Sequence, residues 1–289
     1  MRQMLTATVF LLALFLQGTA SAQNPAWTNP FPPFRVIGPL YGVGTEDLMA
    51  FLIATDQGHI LINTGLEGSL DIIRDNMNTL GFRMEDIRIL LTQQAHFDHT
   101  AALADIQAIS GAQMWATEKD ARVLGDGGFS DPHFGGEVSF KPIQTDRIIR
   151  QGDLITLGDV SLKVHEHPGH TEGSTSYTLV VNENGRDYRV GIMNMGSIND
   201  GKRLVDAPTY PGVARDFAYT YASQKTLPVD VWVAAHAAQF KLHDKYTPGQ
   251  AYSPDTFVDP DGLVSALEDL ERNYLRQMAA EQNASAYPE

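Results

Sequence analysis

Residues 86–110 read DIRILLTQQAHFDHTAALADIQAIS and carry the strongest signal for the fold of this chain. The run from Asp86 to Thr92 is apolar and of strand length, and His99 to Ser110 has helical periodicity and is closed by Gly111. The six residues QQAHFD form the turn between strand and helix. Because a short strand follows at Gln113–Ala116, this unit predicts a sheet with helices packed outside it.

Strand and helix patterns continue on both sides of this unit. Upstream, apolar runs at Leu48–Thr55 and His59–Asn63 are joined by the hairpin signal Asp56-Gln57-Gly58, and helical spacing follows at Leu70–Leu80. The downstream predictions are strands at Ile155–Leu157, Ser161–His165, Ser174–Val181, Tyr188–Met193 and Val229–Ala235, and a long helix at Gly262–Glu281. Two segments predict no regular structure, a proline-rich arm at Trp27–Pro39 and a glycine-rich surface loop at Gly125–Gly136.

The two halves of the chain have similar strand-then-helix composition, and no proline- or serine-rich linker separates them. We therefore expect an α/β fold in which residues 23–289 form one αββα sandwich of two similar halves. The alternative is two independent domains, which the length of the chain also allows.

The composition excludes several classes of protein. The chain has 289 residues, nine histidines and no cysteine, and its formal net charge is -14. Without cysteine there are no disulfides, thiolate nucleophiles or iron–sulfur clusters, so the chemistry must come from nitrogen and oxygen groups. A strongly acidic chain without a basic run is not an electrostatic nucleic-acid binder.

Residues 1–22 have the pattern of a cleaved secretory signal peptide. Arg2 precedes an apolar run from Leu5 to Leu16, and Ala20-Ser21-Ala22 fits a signal-peptidase site. The alternative is a retained anchor, but the run is about a dozen residues, shorter than the ~20 that span a bilayer. We expect a mature periplasmic protein that begins near Gln23 and is no longer attached to the membrane.

The turn QQAHFD and the residue after it place His96, Asp98 and His99 within four positions. Because Asp98 and His99 are adjacent, in most backbone geometries their side chains cannot face the same way as that of His96. The motif therefore suggests two metal centres. His170 follows a second strand and His236 ends a third, so three strand ends bring histidine to one edge of the sheet. Imidazole and carboxylate ligands without thiolate are typical of a catalytic Zn²⁺ site with an open position for water.

The remaining histidines lack this context. A lone histidine is more often a hydrogen-bonded core or surface residue than a metal ligand. We therefore interpret four of them as structural or solvent-facing: His59, His133, His165 and His243. His167 shares a turn with His170, and we expect it to support the metal ligands from behind.

At these residues the sequence resembles the metallo-β-lactamase superfamily, whose motif is His-x-His-x-Asp-His followed by two further histidines. The resemblance covers most of the mature chain and implies the zinc ligands. Gln94, His96 and His170 would hold a first zinc, and Asp98, His99 and His236 a second. The chain departs from the motif at Gln94, whose amide oxygen is a poorer zinc donor than imidazole. We therefore expect one or two bound zinc ions, and the second site should bind zinc more tightly than the first.

Within the superfamily the sequence is most similar to the subclass B3 metallo-β-lactamases with glutamine in the first motif position. Many other hydrolases of the superfamily use an aspartate between the last two histidines to bridge both metals, but residues 191–197 here contain no carboxylate. Two lactamase subclasses use a zinc-binding cysteine, which this chain lacks. The segments 40–53 and 236–245 also resemble subclass B3. No Ser-x-x-Lys occurs, which excludes a serine β-lactamase.

The resemblance implies hydrolysis of the β-lactam amide bond by a metal-bound hydroxide, with Asp98 orienting the nucleophile, and hence antibiotic resistance. It also suggests Ser197 and Asn199 as donors to the substrate carboxylate, unless they form an ordinary turn. Trp27, Phe134 and Tyr41 are candidates for the wall of the cleft, although Tyr41 fits simple packing better.

The sequence leaves two alternative functions open. The first is an exported lactonase or another acyl hydrolase of the same superfamily, against which the missing bridging aspartate argues. The second is a periplasmic zinc-binding protein without turnover. We expect a monomer whose partner is a small-molecule β-lactam, with no nucleic-acid partner.

Overall fold

The computed structural model describes residues 24–286, so the predicted signal peptide at 1–22 lies outside the described residues. Two sheets face each other and helices cover their outer faces. The first sheet has seven strands in chain order. Its strands are β1 (Phe34–Ile37), β2 (Leu40–Gly42), β3 (Phe51–Thr55), β4 (Gly58–Ile62), β5 (Ile87–Leu91), β6 (Gln113–Ala116) and β7 (Arg147–Ile148).

The second sheet has five strands in the order β12-β11-β10-β9-β8. These are β8 (Leu154–Leu157), β9 (Val160–Glu166), β10 (Thr175–Glu183), β11 (Arg186–Met193) and β12 (Val231–Ala234). Each sheet combines antiparallel hairpins with parallel pairs: β4 to β7 run parallel in the first sheet, and β12 runs parallel to β11 in the second. Backbone hydrogen bonds join the two sheets at one edge, where the N–H of Met49 donates to the Ala235 carbonyl and the N–H of Thr175 donates to the Gln93 carbonyl. The turns after β5 and β12 therefore lie on the same side of the sandwich.

Residues 24–286 contain seven α-helices. They are α1 (Ser69–Thr79), α2 (Phe97–Thr100), α3 (Leu103–Ser110), α4 (Glu118–Asp126), α5 (Val213–Gln224), α6 (Leu242–Lys245) and α7 (Pro260–Ala286), with 3-10 turns at Pro25–Trp27, Met84–Asp86 and Ala237–Phe240. Helices α6 and α7 follow the last strand. Within residues 24–286, no helix combines the length and the apolar character needed to cross a membrane.

Apolar side chains fill three layers, as the periodicity of the sequence requires. The largest cluster lies between the sheets and includes Phe51, Tyr177 and Trp232. A second cluster packs α1, α3 and α4 on the outer face of the first sheet, and a third joins α5 to α7. The predicted α/β sandwich is therefore confirmed.

The structure corrects several predicted elements. Residues 34–37 form the edge strand β1 rather than part of an irregular arm, because the hairpin with β2 pairs Phe34 with Gly42. The helices α4 and α5 were not predicted. Helix α4 is short and contains few apolar residues: of the three side chains that it buries, Asp120, Val123 and Leu124, only two are apolar. Thr117 defines its start by accepting a hydrogen bond from the Asp120 backbone N–H.

Candidate metal centre

The turn after β5 brings three candidate ligands together. His96 has an extended backbone (φ -97°, ψ 153°) and directly precedes the short helix α2, so Asp98 and His99 lie in the first turn of that helix. The backbone N–H of His99 donates to the carbonyl oxygen of His96, and the N–H of Thr64 donates to the carbonyl oxygen of His99. The change from extended to helical backbone directs His96 to one side and the Asp98–His99 pair to the other.

Asp98, His99 and His236 form the first group of side chains. One ligand atom from each lies within 4.8 Å of the others. Asp98 Oδ2 is 3.2 Å from His99 Nε2 and 3.5 Å from His236 Nε2. Asp98 and His99 are buried and His236 is partly buried, so a carboxylate and two imidazoles converge in a place with little access to bulk water.

His96 and His170 form the second group. Nδ1 of His96 lies 3.1 Å from Nε2 of His170, and both side chains are buried. Nδ1 of His170 lies 2.6 Å from the carbonyl oxygen of Ser197, which can only accept, so this nitrogen carries the proton. The Nε2 lone pair of His170 therefore points at His96.

Gln94 lies at the same cavity as the two groups, and so do Ser197 and Asn199, the predicted hydrogen-bond donors to the substrate carboxylate. The cavity has a volume of about 650 Å³, and its lining includes Gln94, Ser197, Asn199, Trp27 and Phe134. Phe134 packs edge-on against His96 at 4.9 Å between ring centroids, and Trp27 lies 5.9 Å from His236. The aromatic walls that the sequence suggested are thus present at Trp27 and Phe134. Tyr41 instead packs against Phe82, away from the cavity.

Two carboxylates that the sequence reasoning missed contact the histidines from outside the cavity centre. Asp47 Oδ2 lies 3.0 Å from His236 Nδ1 and also accepts a hydrogen bond from the Trp27 indole at 3.0 Å. Asp131 Oδ2 lies 3.3 Å from His96 Nε2. Neither aspartate lies near the histidine motif in the sequence. The missed signal was weak, since Asp47 lies in the segment 40–53 and Asp131 in the glycine-rich loop, each as a lone acid between short elements.

The same contacts set the pKa values of the free side chains. Burial raises the pKa of Asp98, but the neighbouring imidazoles of His99 and His236 outweigh it and hold the pKa well below its usual value. For His236, burial lowers the pKa, yet Asp47 and Asp98 raise it to about 9. Burial lowers the pKa values of His99 and His170. Asp98 is therefore ionised at pH 7, and both of these buried imidazoles are neutral.

This donor set fits a divalent metal. Both ring nitrogens of His99 are buried without a hydrogen-bond partner among residues 24–286, because its 3.2 Å approach to Asp98 lacks hydrogen-bond geometry. Leaving such atoms unpaired is costly unless a ligand satisfies them. Neutral imidazole and ionised carboxylate are also the forms that bind zinc.

The other histidines lie elsewhere. Their partners are Phe82 for His59, Phe134 for His133, Thr178 for His165 and the Glu46 carbonyl for His243. His167 is fully buried, and its ring nitrogens lie 2.7 Å from Ser176 Oγ and 3.4 Å from Ser223 Oγ. It contacts no candidate ligand, so the expectation that it supports them directly is corrected: its turn places its ring between β10 and α5.

Solved structures with this fold are close relatives in sequence. A class B3 di-zinc metallo-beta-lactamase, LRA-12, from an Alaskan soil metagenome is 45% identical with a TM-score of 0.86, and the match covers 89% of this chain and 98% of that one. The metallo-beta-lactamase GOB-18 from Elizabethkingia meningoseptica is 42% identical with a TM-score of 0.87, covering 89% of this chain and 96% of that one.

The sequence profile of the metallo-beta-lactamase superfamily matches residues 46–183. A curated relative, a probable metallo-hydrolase of Bacillus subtilis named YqgX, is 28% identical over 137 residues, which are 47% of this chain and 62% of that protein. The chain thus spans less than two thirds of this curated relative.

Together the fold, the histidine and aspartate groups and these matches define the class of protein: the chain belongs to the metallo-β-lactamase superfamily. Within the superfamily it is similar to the class B3 metallo-β-lactamases, at 45% identity to LRA-12. The resemblance to this superfamily and to its class B3 members, inferred from the sequence, is confirmed.

Proposed function

We propose that this protein is a zinc-dependent hydrolase of the β-lactam amide bond, acting on penicillins, cephalosporins and carbapenems. The observation that carries the proposal is the convergence of two ligand groups at one cavity. Donor atoms of Asp98, His99 and His236 lie within 4.8 Å of one another, and the His96–His170 pair lines the same cavity. Solved structures 42–45% identical to this chain are named as metallo-beta-lactamases.

The two groups would supply the ligands of two zinc positions. His96 Nδ1 and His170 Nε2, with Gln94, would hold the first ion. Asp98, His99 and His236 would hold the second. The second set includes a carboxylate that neutralises charge and two imidazoles, whereas the first set includes a neutral amide, so the second position is the tighter.

The side chains have distinct roles in hydrolysis. Bound zinc supplies Lewis acidity, which activates water at neutral pH and stabilises negative charge. Hydrolysis adds water across the C–N bond. The water oxygen forms a bond to the carbonyl carbon. The C–N bond breaks, and the ring nitrogen keeps the bonding electron pair and takes up a proton. Asp98 is ionised and lines the cavity, so it can accept a hydrogen bond from the attacking water and orient it.

Binding of the substrate would use the rest of the cavity. Ser197 and Asn199 lie on its wall and offer donors to the carboxylate that β-lactams carry. Trp27 and Phe134 add apolar surface to the lining, which would displace water from the reacting amide. The cavity volume of about 650 Å³ is within the range of sites for small molecules.

The wider role follows from the same proposal. We infer that residues 23–289 act as a single monomeric domain in the periplasm after removal of a signal peptide at residues 1–22. Hydrolysis of β-lactams there would protect the cell wall synthesis machinery and confer antibiotic resistance.

The test is zinc-dependent turnover by the purified protein. A chelator should abolish hydrolysis of imipenem and nitrocefin, and added zinc should restore it. Turnover that resists chelation would contradict the zinc mechanism. An acyl-lactone panel run in parallel addresses the lactonase alternative: preferred lactone turnover, or zinc binding with no turnover of any substrate, would contradict β-lactam hydrolysis.

A further inference from the structure

The segment 127–137 after α4 folds around one buried carboxylate, Asp131. Its Oδ1 accepts hydrogen bonds from the backbone N–H groups of His133 at 2.8 Å and Phe134 at 2.7 Å. Its backbone carbonyl accepts from the N–H of Gly135, and its own N–H donates to the carbonyl of Gly128. One oxygen of Asp131 therefore anchors the segment, and this leaves Oδ2 free for a different partner.

That partner is His96. Oδ2 of Asp131 lies 3.3 Å from His96 Nε2, and the two side chains are only 4% and 2% exposed. His96 Nε2 makes no other contact with an acidic side chain among the described residues 24–286, and its geometry falls short of a linear hydrogen bond. The aromatic ring of Phe134, from the same segment, packs on the His96 ring. The segment thus contacts this imidazole at two places: Asp131 at Nε2 and Phe134 on the ring.

The arrangement determines which nitrogen of His96 is available to a metal. A carboxylate only accepts, so the proton of a neutral His96 belongs on Nε2, facing Asp131. Nδ1 then carries a lone pair, and it lies 3.1 Å from Nε2 of His170, whose own proton is on the side of Ser197. Two lone pairs that face each other at this distance repel, and a cation bound by both nitrogens removes the repulsion.

We propose that Asp131 is a positioning residue for the first metal position and offsets the weak donor Gln94. It fixes the tautomer of His96 and makes Nδ1 a more basic ligand, as outer carboxylates do for metal-bound histidines. The inference rests on the proposed function in so far as it assumes that His96 and His170 hold a metal. It adds that the segment 127–137, whose Phe134 lines the cavity, also sets the affinity of that position.

The experiment measures both zinc equilibria by competition with a chromophoric chelator. Asp131→Asn keeps an oxygen for the two backbone N–H groups but removes the charge. It should weaken one equilibrium by about 10- to 100-fold, the usual effect of losing an outer partner, and leave the other unchanged. The weakened equilibrium should be the one that Gln94→His strengthens, and the double variant should regain affinity. The matched control Glu137→Gln removes an exposed charge from the same segment and should change neither.

Three results would overturn the inference. Asp131→Asn could leave both zinc equilibria unchanged, or it could weaken both equally. The third result is that the native protein takes up a single ion even in excess zinc. Nitrogen NMR of the native zinc-loaded protein provides a readout that does not depend on the folding of a variant. His96 should carry its proton on Nε2, with the shift of a carboxylate-bonded N–H; a proton on Nδ1 would also overturn it. Zinc uptake with this pattern but without carbapenem turnover would contradict the proposed function alone.

Discussion

Nδ1 of His236 lies 3.0 Å from Oδ2 of Asp47, 189 positions away in the chain. The same carboxylate accepts a hydrogen bond from the Trp27 indole, and its Oδ1 lies 3.2 Å from the backbone N–H of Ala238. Asp47 therefore joins the 3-10 turn at Pro25–Trp27, the segment before β3 and the turn that follows β12. This leaves Nε2 of His236 to face Asp98 inside the cavity.

This contact makes zinc binding dependent on pH. Since Asp47 and Asp98 outweigh burial and raise the pKa of His236 to about 9, the zinc-free protein carries a proton on this ring at pH 7.5. Zinc must displace it, so binding should release a proton. Calorimetry in two buffers of different ionisation enthalpy measures that release. Asp47→Asn should reduce it, because the pKa of His236 then falls towards its ordinary value; equal release by both proteins would contradict the assignment.

Gln94 should limit the zinc content of the protein. After dialysis against low zinc, metal analysis of the native protein should give closer to one ion than two, because an amide oxygen is a weaker zinc donor than imidazole. Gln94→His should raise the content towards two. Gln113→His adds a histidine at an exposed position of β6 and should not. Two equally tight ions in the native protein would show that the amide is no handicap.

Asp98→Asn should remove metal from the second position and abolish most activity. The substitution keeps the size of the side chain but removes the buried negative charge that faces His99 and His236. A loss of at least about 100-fold in kcat is expected, as for other groups that stabilise charge in the reaction. Asp200→Asn removes a charge from the rim of the same cavity and serves as the control. Near-native turnover by Asp98→Asn would mean that the site is misplaced.

Ser197→Ala and Asn199→Ala should raise KM about tenfold each, with little change in kcat. The expected loss is about 1.4 kcal/mol, near the value of one hydrogen bond to a charged group. The Ser197 substitution retains the backbone carbonyl that holds His170. A β-lactam whose carboxylate is a methyl ester is the matched substrate: native and variant proteins should handle it alike. A fall in kcat at constant KM would contradict a role in carboxylate binding.

His167 should make the zinc-free protein sensitive to acid. Burial, with a smaller effect of His165, lowers the pKa of His167 to about 3. The unfolded chain takes up this proton below pH 6.5 and the folded chain does not, so stability is lost as the pH falls from 6.5 towards 3. Between pH 7 and pH 5 the loss from this residue is roughly 2 kcal/mol.

Urea unfolding in the presence of a chelator at both pH values measures this loss. His167→Gln should lose about 2 kcal/mol less than the native protein over this interval. His243→Gln, at an exposed position, should behave like the native protein. Equal pH dependence in all three would show that His167 does not contribute.

Local patterns were sufficient for much of the fold. The apolar run before Thr92 and the helical spacing from His99 predicted β5 and the helical segment that follows, because short strands and amphipathic helices leave periodic traces. The edge strand β1 escaped, since its proline- and aromatic-rich sequence resembles a loop until pairing with β2 satisfies its backbone. Helix α4 was not predicted because it is short and only two of its buried side chains, Val123 and Leu124, are apolar.

The sequence by itself determined the chemistry that is available here: histidine, aspartate and glutamine ligands, no thiolate, and strand ends that deliver histidines to one edge. Tertiary structure decided which side chains meet. Asp47 and Asp131 lie 189 and 35 positions from the histidines they contact, and no local pattern marks them. A carboxylate acquires such a role only where folding buries it beside an imidazole, since removal of water strengthens the interaction between their charges.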